Sequence, residues 1–309
     1  MKGSTLRPFV MTFAHRLMIF IITFLFLIYP STAQNEDNTH WSEKGGYSVV
    51  MEQYTATWCD VCASIDSWMP QYTEANGNRV IRLAFHDSID DPLGTEITDY
   101  RLAQYSDKLV APSFWFDGLI TSGGAPDRAT LHRSLLSAEN DRRGDTDINL
   151  SVSLKANEVI INAQFSNWDS AEDSKVFFLI LEDNVLVPET TNSNGIKLHH
   201  DVVFAYNEIH TNGSYEWAHP NDSWTTLSSQ ESNFTSKFLL PDDKLFENLE
   251  IVVVHESIST NDSDSRILGA MSIHLGDENI IKKTNIFIPF MVIICVSAIP
   301  ILIQSRRSN

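Results

Sequence analysis

The first half of the chain alternates short apolar runs with segments of helical periodicity. The apolar runs are rich in β-branched and aromatic residues, which favour strands. Asp117-Gly118 between two of these runs is a strong hairpin turn signal. The predicted strands are 47–54, 79–86, 113–116 and 119–121, and the predicted helices are 59–75, 95–105 and 126–139. Strands that alternate with helices predict an α/β domain, which we place at 47–141.

After a polar linker at 142–147, the pattern changes to strands alone. Short runs of apolar or alternating residues are separated by loops rich in Asn, Ser, Asp and Pro. The strand candidates are 148–154, 159–165, 176–181, 201–207, 234–240, 251–255 and 267–274. Seven short strands without a convincing helix predict an all-β sandwich over 148–276.

The amino-terminal end resembles an export signal. Basic residues up to Arg16 precede an apolar run that Pro30 ends, and small residues follow as far as Ala33. This order is typical of a cleaved signal peptide, here 1–33, with an uncleaved signal anchor as the alternative. Residues 34–46 are polar and predict a loose lead-in.

The carboxyl-terminal end predicts one membrane span. Residues 286–303 carry no charge and have basic pairs on both sides. At about 1.5 Å per residue, a helix of this length nearly crosses a bilayer core. A removable anchoring tail is the alternative. The expected fold class is therefore an α/β domain, an all-β sandwich and one transmembrane helix, with both domains outside the cytoplasm and a cytoplasmic tail at 304–309.

The charge excludes one class of partner. The chain has 40 acidic and 22 basic residues and a formal net charge of −18. Nucleic-acid binding is driven by Lys and Arg on phosphate, so a nucleic-acid partner is not expected. Five N-x-S/T motifs are compatible with an exported glycoprotein, at Asn149, Asn212, Asn221, Asn233 and Asn261.

The cysteines are the clearest chemical signal. Three are present, of which Cys295 lies in the predicted span, while Cys59 and Cys62 lie in the predicted exported region. A disulfide across two intervening residues closes so small a loop that it stabilises a fold weakly. A zinc site needs about four ligands, and no second ligand pair has suitable spacing, so no metal is expected. A redox role fits this pair better than a structural one.

The position of the pair suits thiol chemistry. The segment Thr57-Trp58-Cys59-Asp60-Val61-Cys62 lies where a predicted strand passes into a predicted helix. The amino-terminal end of a helix favours negative charge and so favours the reactive thiolate. Two intervening residues bring Cys62 back over the first helical turn, where it can attack a mixed disulfide on Cys59.

These residues resemble the thioredoxin superfamily. The likeness consists of the W-C-x-x-C motif after an apolar strand, the order of elements over 47–139, and Pro112 before a later strand. The resemblance implies a thioredoxin-like domain with Cys59 and Cys62 as catalytic residues and no cofactor. It also implies that Pro112 docks substrate, and Trp58 beside the nucleophile is a further docking candidate.

One departure from the family concerns a buried acid. The family places it six residues before the first cysteine, where this chain has Gln53. Glu52 is its neighbour, but successive residues of a strand face opposite sides. Glu52 is therefore not expected to replace the acid.

The expected function is a membrane-anchored, extracytoplasmic thiol–disulfide oxidoreductase. Its expected partners are thiols or disulfides of exported proteins, an unidentified redox partner, and the lipid bilayer through the carboxyl-terminal helix. The alternative is a surface binding or adhesion protein that uses the thioredoxin-like part as a scaffold. The large strand-rich second half and the missing buried acid favour that alternative.

A second departure gives a prediction about redox tuning. A carboxylate beside the nucleophile opposes thiolate formation, so Asp60 is expected to make the pair less oxidising. We expect Asp60→Asn to shift the redox potential to more oxidising values, measured by equilibration with glutathione. An unchanged potential would contradict a tuning role for Asp60.

Overall fold

The computed structural model is rich in β-strands. The residues described are 39–105, 108–142, 146–168, 173–188, 193–230, 232–258 and 266–276. Within them the chain forms sixteen strands and four α-helices. The helices are α1 (Asp60–Asp66), α2 (Met69–Asn76), α3 (Glu96–Leu102) and α4 (Arg128–Asp141).

The strands lie in three sheets. The first eight are β1 (Thr39–Gly45), β2 (Val49–Thr55), β3 (Val80–His86), β4 (Ser113–Phe116), β5 (Leu119–Gly123), β6 (Asp147–Lys155), β7 (Glu158–Ser166) and β8 (Ser174–Glu182). The others are β9 (Val185–Leu186), β10 (Leu198–His199), β11 (Val202–His210), β12 (Glu216–His219), β13 (Trp224–Gln230), β14 (Asn233–Leu239), β15 (Leu249–Ser257) and β16 (Ile267–His274).

The largest sheet has nine strands in the order β16-β15-β8-β11-β3-β2-β4-β5, with β12 beside β11. β2 pairs with β3 in parallel, and β11 pairs with β3 in parallel through Val202 and Ala84. All the other pairs in this sheet are antiparallel. β2 therefore lies inside the sheet, and its carboxyl end leads directly into the cysteine segment.

A five-stranded sheet, in the order β1-β6-β7-β14-β13, contributes to one core with the nine-stranded sheet. Side chains of β8 alternate between two faces, as they must on an extended strand. Phe178 and Ile180 join the core shared with β6 and β7, while Phe177 and Leu179 join a second core with α3. Burial on both faces explains why β8 is an almost continuous apolar run.

A third core lies under the helices that surround the cysteine segment. Met51 of β2 packs there with Ile65 of α1 and Met69 of α2. Leu131 and Leu135 of α4, one helical turn apart, complete the contact. The inner position of β2 and these helices fix the place at which α1 begins.

The predicted fold class, an α/β thioredoxin-like domain followed by an all-β sandwich and a transmembrane helix, is wrong. The structure is instead β-rich, and its largest sheet contains strands from both sides of the predicted linker. The backbone N–H of Ala84 donates to the carbonyl of Asp201 at 2.9 Å and joins the two halves. Local periodicity could not show this, because the pair is separated by more than a hundred residues. The limits 47–141, 142–147 and 148–276 stay a prediction.

The predicted location as a single-pass membrane protein also requires correction. None of the helices described, of which α4 is the longest, is long and apolar enough to cross a bilayer. The segments predicted as a signal peptide, a membrane span and a tail, at 1–33, 286–303 and 304–309, lie outside the described residues. Part of the predicted lead-in, 34–46, is strand β1, paired with β6.

A buried ion network ties α3 to the large sheet. The guanidinium of Arg101 contacts Glu52 of β2 at 2.6 Å and Glu256 of β15 at 2.5 Å, and all three side chains are almost fully buried. Tyr105 donates its hydroxyl to Glu52, and Arg101 also lies 4.5 Å from the ring centre of Phe177. Burial by itself would lower the pKa of Arg101. The negative charges of Glu256 and Glu52 outweigh this effect and hold the pKa above its usual value.

This network predicts a large stability loss on removal of its cation. Arg101→Met would leave two carboxylates buried without a positive partner, which costs about 3–5 kcal/mol in such sites. We expect a loss of that order in the free energy of unfolding, measured by chemical denaturation. The control is Arg79→Met, which breaks an exposed pair with Glu139 and should cost about 1 kcal/mol or less. Equal losses of unfolding free energy in the two variants would show that the buried network stabilises the fold no more than the exposed pair does.

Candidate functional site

The two cysteines lie where β2 passes into α1. Cys59 is the residue that caps the amino-terminal end of α1, and its Sγ accepts the backbone N–H of Cys62 at 3.1 Å. The two sulfurs form a disulfide, and the Cα atoms are 5.2 Å apart. Strand pairing on both sides of β2 fixes the start of this turn, and the first turn of α1 fixes its end.

The two sulfur-bearing residues differ in accessibility. Cys59 keeps 6% of its surface exposed, whereas Cys62 keeps none. Ala56 and Ala111 pack against the pair. Both residues are therefore buried, and Cys59 is the more accessible of the two, which is the order that stepwise disulfide exchange needs.

The exposed rim of the pair is partly apolar. Trp58 is 40% exposed, Val61 is 48% exposed, and Asp60 between the cysteines is also exposed. An exposed apolar rim around a reactive group suits contact with an unfolded or extended chain. The structure places Trp58 and Asp60 beside Cys59, as their sequence positions require, and leaves their predicted roles open.

The loop before β4 faces the cysteines. The carbonyl oxygen of Ala111 lies 3.8 Å from Cys59 Sγ, and the Ala111–Pro112 peptide bond is cis. Pro112 itself is buried and adjoins Ser113, the first residue of β4. The structure thus brings Pro112 to the cysteine pair across 50 residues of sequence, and its docking role stays a prediction.

A buried carboxylate holds the turn before Cys59. Asp91 Oδ2 accepts the backbone N–H of Thr57 at 2.6 Å and lies 2.9 Å from His86 Nδ1, while Oδ1 accepts the backbone N–H of Leu93. Burial raises the pKa of Asp91, but hydrogen bonds from His86 and these two amides outweigh it and lower the pKa below its usual value. Asp91 therefore acts as a fixed, ionised acceptor behind the cysteine turn.

A second histidine lies against the first. The rings of His86 and His199 meet edge to face, with centres 5.0 Å apart. The Nε2 atom of each is buried and has no hydrogen-bond partner. Burial, followed by the charge of His86, lowers the pKa of His199 to about 4. The next residue, His200, has a different partner, since its Nδ1 lies 3.5 Å from Asp183 Oδ1.

A polar cluster underlies α1 where the family is expected to have its buried acid. Gln53 donates to Asp66 Oδ1 at 2.8 Å and accepts from Arg82 Nε at 2.8 Å, and Arg82 also contacts Asp66 at 3.0 Å. Asp66 lies four residues after Cys62 on the same helix. Glu52 lies on the other face of β2 and pairs with Arg101. The expected buried acid is therefore supplied neither by Gln53 nor by Glu52.

Three residues of the site were not found from the sequence. In the sequence Asp91 lies in a polar segment, Asn194 lies in a segment rich in Asn and Ser, and His199 precedes the predicted strand 201–207. Only Asp91 carried a local signal, since Asp-Pro after a strand is typical of a structured turn. The other two come from 130 residues or more further along the chain.

The fold and site together define a β-rich protein with a CxxC disulfide at the start of a short helix. No protein-family model matches the chain, and no curated protein matches it either. Solved structures with a similar fold include two that match most of this chain. HBP35 of Porphyromonas gingivalis is 16% identical with a TM-score of 0.55, and the match covers 78% of this chain and 79% of that one.

The second similar structure is protein AGR_C_4864 from Agrobacterium tumefaciens. It is 15% identical with a TM-score of 0.51, and the match covers 75% of this chain and 96% of that one. At such low identity, the likeness of both structures concerns the fold alone.

The environment of His199 gives a pH prediction. Unfolded His199 would take up a proton as the pH falls through about 6.5, whereas folded His199 does so only near 4. Protons then favour the unfolded chain, so this residue lowers stability as the pH falls through that window. We expect the wild type to lose up to about 3 kcal/mol more between pH 7 and pH 4 than His199→Phe, measured by chemical denaturation.

The comparison is internally controlled. His255, whose pKa burial also lowers to about 4, titrates in both proteins and cancels. A Phe side chain keeps a ring against His86. Identical pH profiles for the two proteins would show that His199 is not held neutral by its surroundings.

Proposed function

We propose that this protein is a thiol–disulfide oxidoreductase that exchanges electrons with protein substrates through Cys59 and Cys62. The observation that carries the proposal is the geometry of the pair. A disulfide spans the first turn of a helix, with Cys59 slightly exposed and Cys62 fully buried. A disulfide kept only for stability would close a longer loop, because so short a loop restricts the unfolded chain very little.

The exchange runs in two steps. In the reduced protein, the Cys59 thiolate attacks a substrate disulfide, forms a mixed disulfide and releases one substrate thiolate, which takes up a proton. The Cys62 thiolate then attacks Cys59 Sγ, which closes the intramolecular disulfide and releases the second substrate thiolate. The substrate gains two electrons and the pair loses two, and the reverse sequence oxidises a substrate dithiol.

Backbone contacts support Cys59 as the nucleophile. The N–H of Cys62 points at Cys59 Sγ from 3.1 Å, and a donor at that position stabilises a thiolate more than a neutral thiol. Cys62 has no exposed surface at which an incoming sulfur could attack. This difference supports attack through Cys59 and resolution through Cys62.

The likeness of the site to the thioredoxin superfamily stays a proposal. It is supported by the position of the pair after β2 and by the loop at Ala111–Pro112 beside Cys59. In this proposal Pro112 and Trp58 contact the substrate chain, and exported proteins are the substrates. A redox partner must restore the pair after each turnover.

A binding protein is the second candidate function. The low exposure of Cys59, 6%, favours it, because a permanently oxidised pair would serve as a local brace for a binding surface. In that case partner binding would survive loss of the cysteines. The two candidate functions therefore predict different effects of substituting Cys59. The oxidoreductase would lose catalysis, whereas the binding protein would keep its partner.

The proposed function predicts a strict dependence on Cys59. In an insulin-reduction assay with glutathione as the electron source, Cys59→Ser should reduce turnover to the uncatalysed rate, since the remaining cysteine of the pair, Cys62, is fully buried. The control is Cys295→Ser, which removes a cysteine outside the described residues and should leave turnover unchanged. Turnover that survives Cys59→Ser would overturn the proposal.

The same assay separates the roles of the two cysteines. Cys62→Ser should leave substrates covalently attached to Cys59, because the resolving thiol is missing. The adducts are detected as bands on non-reducing gels that reducing agent removes. Adducts in Cys59→Ser instead would reverse the assigned roles.

A further inference from the structure

A hairpin from the second half of the chain reaches the cysteine turn. β9 and β10 pair with each other, and the backbone N–H of Val187 donates to Lys197 across the hairpin. β11 follows β10 directly and begins beside Ala84, near the carboxyl end of β3. Because β2 and β3 are parallel, their carboxyl ends lie at the same end of the sheet. The hairpin therefore lies at the end of the sheet where Cys59 lies.

Asn194 is the residue through which this hairpin holds the turn. Its backbone N–H donates to the carbonyl of Thr57 at 2.7 Å. Its side-chain Nδ2 donates to the carbonyl of Cys59 at 2.9 Å and to that of Ala56 at 3.4 Å. Its Oδ1 accepts the backbone N–H of Ile196 at 3.0 Å, which fixes the orientation of the amide. One residue thus contacts three carbonyls of the segment that precedes α1.

These bonds act on the less constrained side of the disulfide. Cys62 belongs to the first turn of α1, whose own hydrogen bonds fix its backbone. Cys59 lies before that turn, and its N–H donates to Ala56 in a tight loop at 3.1 Å. The carbonyl of Cys59 accepts the first helical N–H, from Ala63 at 3.1 Å, and the carbonyl of Ala56 accepts the N–H of Cys59. Asn194 adds a second donor to each of these carbonyls and also binds the carbonyl of Thr57. The separation of the two sulfurs therefore depends on Asn194 as well as on α1.

We propose that Asn194 is a positioning residue that stabilises the Cys59–Cys62 disulfide relative to the dithiol. By fixing the backbone of Cys59, it holds Sγ within bonding reach of Cys62 and raises the effective concentration of one thiol for the other. This inference deepens the proposed function and rests on it only for its biological meaning. The thiol–disulfide equilibrium of the pair can be measured whether or not the protein turns over a substrate.

A second contact of the hairpin supports this role. His199 packs on His86, His86 contacts Asp91, and Asp91 accepts the N–H of Thr57. The carbonyl of Thr57 is bound by Asn194. The turn before Cys59 is therefore held on its N–H side and on its carbonyl side, and the hairpin contributes to both.

The test is the thiol–disulfide equilibrium of the pair with glutathione. It is measured in the full chain carrying Cys295→Ser, so that Cys59 and Cys62 are the only cysteines that can exchange with glutathione. We expect Asn194→Ala to lower the equilibrium constant for disulfide formation about tenfold, which is an oxidising shift of about 30 mV. The matched control is Asn162→Ala. Asn162 is also half-buried and donates to two side chains, Asn233 and Thr235, away from the cysteines. This variant should leave the constant unchanged.

An unchanged equilibrium constant in a folded Asn194→Ala protein would overturn the inference, because a purely structural contact would stabilise both redox states equally. Circular dichroism establishes that the variant is folded. Should the Ala variant not fold, Asn194→Ser replaces it, since its shorter side chain lacks the Nδ2 donor, and the same criterion applies. A shifted constant together with a wild type that reduces no insulin would keep this inference and reject the proposed function.

Discussion

The structure depends most on one contact, the parallel pairing of β11 with β3 at Val202 and Ala84. This contact places strands from the two halves of the chain in one nine-stranded sheet. It also starts β11 near the carboxyl ends of β2 and β3, so the preceding hairpin must lie at the same edge as the cysteine turn. Residues such as Asn194 and His199 reach the site for this reason.

Buried charge has two different uses in this protein. Arg101 lies between Glu52 and Glu256 and joins α3 to two strands of the sheet. Near the cysteines, Asp66 and Asp91 instead receive hydrogen bonds that orient α1 and the turn before it. The low dielectric of the interior makes each of these contacts strong when complete and costly when broken.

The cysteine site is defined by backbone groups as much as by side chains. The N–H of Cys62 and the carbonyl of Ala111 flank Cys59 Sγ, while Asn194 and Asp91 bind the carbonyl and N–H of Thr57. Backbone groups held on rigid elements keep a reactive atom in place without requiring a particular residue type.

The sequence by itself determined most of the longer strands, a helix after Cys59 and the cysteine pair, because these follow from local periodicity and spacing. It did not indicate β1, β9, β10, β12 or β13. It also indicated that Glu52 and Gln53 face opposite sides of β2, which the contacts of Arg101 and Asp66 confirm. Only the tertiary structure decided which strands share a sheet. That pairing in turn decided the fold class and brought Asn194 and His199 next to the cysteine turn. Pairing between distant segments depends on the free energy of the whole packed chain, to which no local pattern of residues gives access.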